Sequence, residues 1–173
     1  MDEIIVQDNF LNDEELKTCI NIIENNKWSW GHTSNIDVVE NTPFWKMDLN
    51  SNEYYAKTIT NIIETYFSKK FNLLRVYATG HTYGQDGSYH TDSFEDNCYT
   101  FCLYLTDICE DTVETAGGHL FFKLPDLNYK ICYEPKFNRG IFFPSKFIHK
   151  GTAFSRYIMD LRICVAWKLQ EII

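Results

Sequence analysis

The stretch "YHTD" (residues 89–92) places an imidazole and a carboxylate one residue apart, shortly before the apolar run "CYTFCLYL". In extended backbone the side chains at i and i+2 project to the same side, so His90 and Asp92 can close on one object. Alone, such a pair fits a local hydrogen bond at a strand end as well as it fits a metal. A third residue shifts the balance towards a metal. His149 follows Asp92 by 57 positions, directly after the apolar run "RGIFFPSKFI". Two imidazoles and one carboxylate form the facial triad that suits non-haem Fe(II) and leaves three coordination positions open. Those positions have a use if a co-substrate chelates there and O2 binds beside it. A co-substrate with a second carboxylate also needs a cation to hold its far end. In "DLRICVAW", Arg162, Cys164 and Ala166 alternate onto one face, and Leu161, Ile163, Val165 and Trp167 onto the other. An arginine beside two small residues reads as a charge pointing into a narrow cavity. An exposed arginine on an edge strand is the alternative.

These side chains must be positioned by a single domain, since 173 residues suit one core better than two. Helical support is expected over about residues 10–70. In "NDEELKTCINIIENNKW", Asn12 can cap, acids fill the first turn, and Leu16, Cys19, Ile20 and Ile23 recur at helical spacing. A second amphipathic helix is read from "SNEYYAKTITNIIETYFSKKF", with Asn50 and Glu53 as a capping box and Tyr55, Ile59, Ile62, Ile63 and Tyr66 on its stripe. From about residue 71 to 169 the chain changes to short β-branched and aromatic runs punctuated by Gly, Pro, Asp and Asn. That pattern predicts an antiparallel sandwich or barrel, not βαβ units. The fold class is mainly β with two N-terminal helices packed on it.

Composition narrows the function classes. Formal net charge is −8, and 7 Lys+Arg against 16 Asp+Glu in residues 1–96 account for the excess. No basic stripe favours nucleic acid. The first residues lack the basic-then-apolar pattern of an export signal, and no apolar run reaches the roughly 20 residues of a membrane span. Six cysteines without a CxxC pair read as reduced thiols, which gives a cytoplasmic expectation.

From about residue 73 to 169, five segments in order resemble the prolyl-4-hydroxylase-like branch of the 2-oxoglutarate/Fe(II)-dependent dioxygenases. They are "TYGQDGSYHTD", "CYTFCLYLTD", "AGGHLFFKL", "FNRGIFFPSKFIHKG" and "LRICVAWKL". The resemblance implies a double-stranded β-helix (jelly-roll) core, with Fe(II) held by His90, Asp92 and His149. It further implies that Arg162 pairs with the distal carboxylate of 2-oxoglutarate, with the Tyr104 hydroxyl beside it. Thr100, on the same strand face as Tyr104, and Tyr83, before the first metal histidine, are placed with the co-substrate. In much of this branch the cation follows the second metal histidine by about nine residues. Here Arg162 follows by 13 and Arg156 by 7, so Arg156 is kept as the second candidate.

The implied reaction couples decarboxylation of 2-oxoglutarate, with O2, to hydroxylation of a C–H bond, ascorbate serving as reductant. A peptidyl residue, proline first, is the expected substrate. A free amino acid, small metabolite or nucleobase is the alternative, as is a non-catalytic jelly-roll binding module. A cupin-like metal enzyme without co-substrate would need a further ligand, for which only His119 is available. His119 and His81 read as packing or loop residues. His32 could border the cleft, and residues 28–44 read as a substrate lid or an aromatic connection.

Overall fold

The computed structural model describes residues 3–35, 38, 41–124 and 128–172. Two antiparallel sheets face each other. Strands β1 (Ile5–Gln7), β2 (Ser29–His32), β3 (Phe44–Asp48), β4 (Phe71–His81), β5 (Cys98–Tyr104), β8 (Gly140–Pro144) and β10 (Arg162–Glu171) form the larger, ordered β1-β8-β5-β10-β4-β3-β2. The smaller is β7-β6-β9, from β6 (Leu120–Lys123), β7 (Lys130–Tyr133) and β9 (Ile148–Gly151). A single antiparallel bridge between His90 and His149 adds the segment carrying the first histidine to β9. This is the jelly-roll core expected from the chain's second half.

Helix α1 (Asp13–Glu24) begins as the sequence predicts. The Asn12 side chain accepts from the Glu14 and Glu15 amides at 3.0 Å, and Glu15 returns to the Asn12 amide at 3.0 Å. The second helix starts differently. Its first turns, Tyr54–Ile59, are π-helical before α2 (Thr60–Phe67), and Asn52, not Asn50, accepts from the Tyr55 amide at 3.1 Å. Asn50 is drawn away because its side-chain oxygen accepts from the Val76 amide of β4 at 2.8 Å. The region read as helical support also contains strands. β2 and β3 pair as hairpin arms and extend the large sheet beyond β4. The suggested lid is therefore rooted in a sheet edge; its residues 36, 37, 39 and 40 lie outside the described residues.

Strand β10 is central to the large sheet, flanked by β4 and β5, and both its faces are covered. Val165, Trp167 and Leu169 join the helix-side core with Tyr55, Ile59, Ile63 and Phe101. Cys164 and Ala166 join the core between the sheets with Tyr104, Phe122 and Phe143. The alternation read from "LRICVAW" thus holds, and Trp167 is its anchor. Its indole N–H donates to the Tyr55 carbonyl at 3.0 Å, and no part of it is exposed. No helix among the described residues is long and apolar enough to cross a membrane.

Trp167→Ala is expected to cost about 3–5 kcal/mol, because a cavity opens where three elements meet. Urea unfolding measures it, and a loss no larger than that of a surface substitution would contradict the packing described.

Candidate active site

His90, Asp92 and His149 converge. One ligand atom from each lies within 4.8 Å of the other two. The two histidines exchange both backbone hydrogen bonds, at 3.0 and 2.9 Å, and the Asp92 amide donates to the Ser145 carbonyl at 2.9 Å. The chain on both sides of the triad is therefore fixed by main-chain pairing. Each imidazole is oriented in the same manner. His90 Nδ1 lies 2.9 Å from the Ser88 carbonyl oxygen and His149 Nδ1 2.9 Å from that of Phe147. A carbonyl only accepts, so both Nδ1 atoms carry the proton and both Nε2 atoms present a lone pair. Those Nε2 atoms stand 3.6 and 3.4 Å from the Asp92 carboxylate.

Asp92 is held from behind. Thr100 donates to its Oδ2 at 2.7 Å and also contacts the Ser145 hydroxyl at 3.0 Å. Lys168 makes an ion pair with the same oxygen. Burial would raise the Asp92 carboxyl, but the adjacent Lys168 ammonium outweighs it and holds the group well below the ordinary range. The His149 imidazole is pushed down, first by burial. Two imidazole nitrogens and a carboxylate oxygen form a donor set that fits Fe(II).

Arg162 opens the inner face of β10 and is 2% exposed. Its Nε donates to the Gly118 carbonyl at 2.7 Å. That carbonyl is turned towards it by two successive left-handed glycines, Gly117 (φ +76°) and Gly118 (φ +74°). One terminal nitrogen stands 3.5 Å from the Tyr104 hydroxyl. A Cβ added at Gly151 would come within 3.3 Å of the guanidinium, so the glycine keeps that side open. Arg162, Tyr104 and the triad line one cavity of about 190 Å³, with Cys164 and Ala166 as the small residues between.

Other sequence candidates lie elsewhere. Tyr83 is 65% exposed and lines a separate surface depression with Gly117 and His119; Tyr77, buried on β4, faces the cavity alongside Tyr104. Proximity to His90 in sequence misled, whereas the alternation Arg75, Tyr77, Thr79, His81 along β4 could have found it. Thr100 lies behind Asp92 and not on the cavity wall. Arg156 is exposed and its guanidinium donates to the Tyr157 hydroxyl at 2.9 Å. The longer spacing after His149 is an outward loop, with Tyr157 and Met159 exposed and Phe154 pinning it beneath. His32 and His81 both line the cavity, and His119 does not. Lys168 was missed, although its position two residues beyond Ala166 places it on the inner face. A lysine there, in a strand apolar on both sides, is the signal.

Residues 74–166 match the family model described as the 2OG-Fe(II) oxygenase superfamily. That is more than half of the chain, and the protein belongs to this superfamily of Fe(II)- and 2-oxoglutarate-dependent oxygenases. None of the curated proteins matches. Similar solved structures include a prolyl hydroxylase from Trichoplax adhaerens in complex with a hypoxia inducible factor oxygen degradation domain peptide fragment. It has 16% identity and a TM-score of 0.75, covering 99% of this chain and 84% of that one. A viral collagen prolyl hydroxylase from Paramecium Bursaria Chlorella virus-1, in a 2-oxoglutarate complex, has 20% identity and a TM-score of 0.60, covering 98% and 96%. HygX from Streptomyces hygroscopicus, with nickel, 2-oxoglutarate and hygromycin B bound, has 10% identity and a TM-score of 0.67, covering 96% and 82%. Fe(II) and 2-oxoglutarate are thus the cofactor and co-substrate of the family to which the chain belongs.

His81 supplies a pH prediction. Burial, then the charge of Arg162, pushes its imidazole from 6.5 down to about 3. The unfolded chain binds that proton below about pH 6.5 and the folded chain does not. Stability should therefore fall as pH drops from 6.5 towards 3, by up to about 1.4 kcal/mol per pH unit from this residue. His81→Gln should flatten the slope in urea unfolding across that window; an unchanged slope would refute the assignment.

Proposed function

We propose that the protein hydroxylates a C–H bond, using Fe(II) held by His90, Asp92 and His149 and 2-oxoglutarate anchored by Arg162 and Tyr104. The observation that carries this reading is the shared cavity: three oriented ligand atoms and a buried guanidinium face the same space. When bound, the metal with 2-oxoglutarate and O2 supplies the oxidising chemistry, releasing succinate and CO2. The chain contributes position. Thr100 and Lys168 occupy one oxygen of Asp92, which leaves the other for the metal. The Gly118 carbonyl fixes the guanidinium, so its terminal nitrogens meet a carboxylate in a set orientation. The buried walls, Leu120, Cys164 and Ala166 among them, limit water around the reacting atoms.

The substrate proposed first is a peptidyl residue, with proline the leading case. Its support is the resemblance of the motifs and the likeness of the fold to prolyl hydroxylases, one solved with a peptide. A reducing, cytoplasmic setting is supported by six cysteines that are all unpaired.

Succinate formation from 2-oxoglutarate with Fe(II) and ascorbate tests the reaction. His90→Ala and Asp92→Ala should abolish it, and full turnover in either variant would remove the proposal. Arg162→Ala should raise the KM for 2-oxoglutarate far more than Arg156→Ala does; the reverse order would exchange their roles. Thr100→Val strips Asp92 of a donor and should weaken Mn(II) or Fe(II) binding by roughly ten- to a hundredfold in calorimetric titration. Unchanged affinity would deny Thr100 its part.

A further inference from the structure

The chain as a whole carries a net charge of −8, yet its cavity is cationic. Arg75, Arg162 and Lys168 line it, and among the described residues Asp92 is the one acidic side chain in the lining. Lys168 is neutralised by Asp92. Under the function proposed above, on which this inference rests, a ferrous ion and the 2-oxoglutarate dianion cancel each other. Among the described residues two positive charges remain, on the buried Arg162 and on Arg75, which lines the cavity but is exposed to solvent. Arg162 has an assigned ligand. Arg75 has none.

Its position makes that conspicuous. Arg75 of β4 is directly paired in register with Lys168 of β10, and like charges facing each other across two strands destabilise the pair. Among the described residues Arg75 makes no ion pair. The carboxylate on the neighbouring strand, that of Asp48, accepts instead from the Asn50 amide at 2.9 Å and from the Asn50 side chain at 3.0 Å. A third cation adds to the crowding. The Arg75 guanidinium carbon lies 5.2 Å from the Tyr77 ring centroid and Lys46 Nζ lies 5.0 Å from the same centroid. Both cations reach His32, whose imidazole is pushed down to about 4 by burial, then by Lys46 and Arg75. Position also separates this cluster from the co-substrate anchor. Arg162 pairs with His81 at one end of the β4–β10 ladder and Lys168 with Arg75 towards the other. Six residues of extended strand put their backbones about 20 Å apart. One small diacid held by Arg162 does not account for Arg75.

We infer that Arg75, flanked by Lys46 and Tyr77, binds a carboxylate of the substrate at the metal end of the cavity. The carboxylate could belong to an acidic side chain beside the hydroxylated residue of a peptide, or to the α-carboxylate of a free amino acid. The chemistry recognised is the same, and the test separates the sources.

Binding is measured by calorimetry on the protein loaded anaerobically with Fe(II) and 2-oxoglutarate. One arm compares blocked Glu-Pro-Ala and Gln-Pro-Ala peptides; the other compares each free amino acid with its amide. In one arm the acid should bind roughly tenfold or more tightly than its amide, the scale of a charge-assisted pair. Arg75→Gln should erase that preference, and Arg75→Lys should retain part of it, which distinguishes charge loss from misfolding. Acids bound no better than amides in both arms, or a preference that survives Arg75→Gln, would overturn the inference. Succinate formation by wild-type protein scores the oxygenase reading separately. Preference without succinate removes that reading, and succinate without preference removes only the inference about Arg75.

Discussion

Strand β10 must bury both of its faces, and the rest of the structure follows from that requirement. One face is bulky and closes the core under the helices with Val165, Trp167 and Leu169. The other carries a cation, two small residues and a second cation in strict alternation, and it is the floor of the active cavity. Rotating the strand by one residue would exchange the two sets completely. Helix-side packing therefore sets the direction of Arg162, though neither helix touches the cavity. The fully enclosed indole of Trp167 and its bond to Tyr55 make the wrong register costly.

The ion pair of Lys168 with Asp92 is buried, with side chains 8% and 3% exposed. Withdrawing two charges from water is expensive, and such pairs seldom add net stability. Its value here is orientation. A carboxylate fixed at one oxygen by a hydroxyl and an ammonium cannot rotate or take up a proton easily, so the other oxygen remains available in a set direction. The same arrangement leaves Arg75 without that carboxylate as a partner, because Asp92 is already paired with the lysine that faces Arg75 across the two strands.

Much of this was legible in the sequence where local period governed the outcome. The alternation around Arg162, the i, i+2 pair at His90 and Asp92, and the Asn12 cap each depend on a few neighbouring residues, and each was read correctly. Errors arose where tertiary partners decided. Asn50 was drawn off to Val76, leaving Asn52 to cap. Tyr83 looked close to the site in sequence but turned outward, while Tyr77 on the preceding strand faced in. The hairpin of β2 and β3 was hidden because its pairing partner, β4, is remote in sequence. Lys168 belonged to a pattern already recognised, and extending it by two residues would have found it.

The mutual main-chain bonds of residues 90 and 149 have a broader consequence. They stitch the two metal-binding segments together through the peptide backbone, independently of any ion. The spacing of the two imidazoles is thus set by the sheet, not by the side chains themselves.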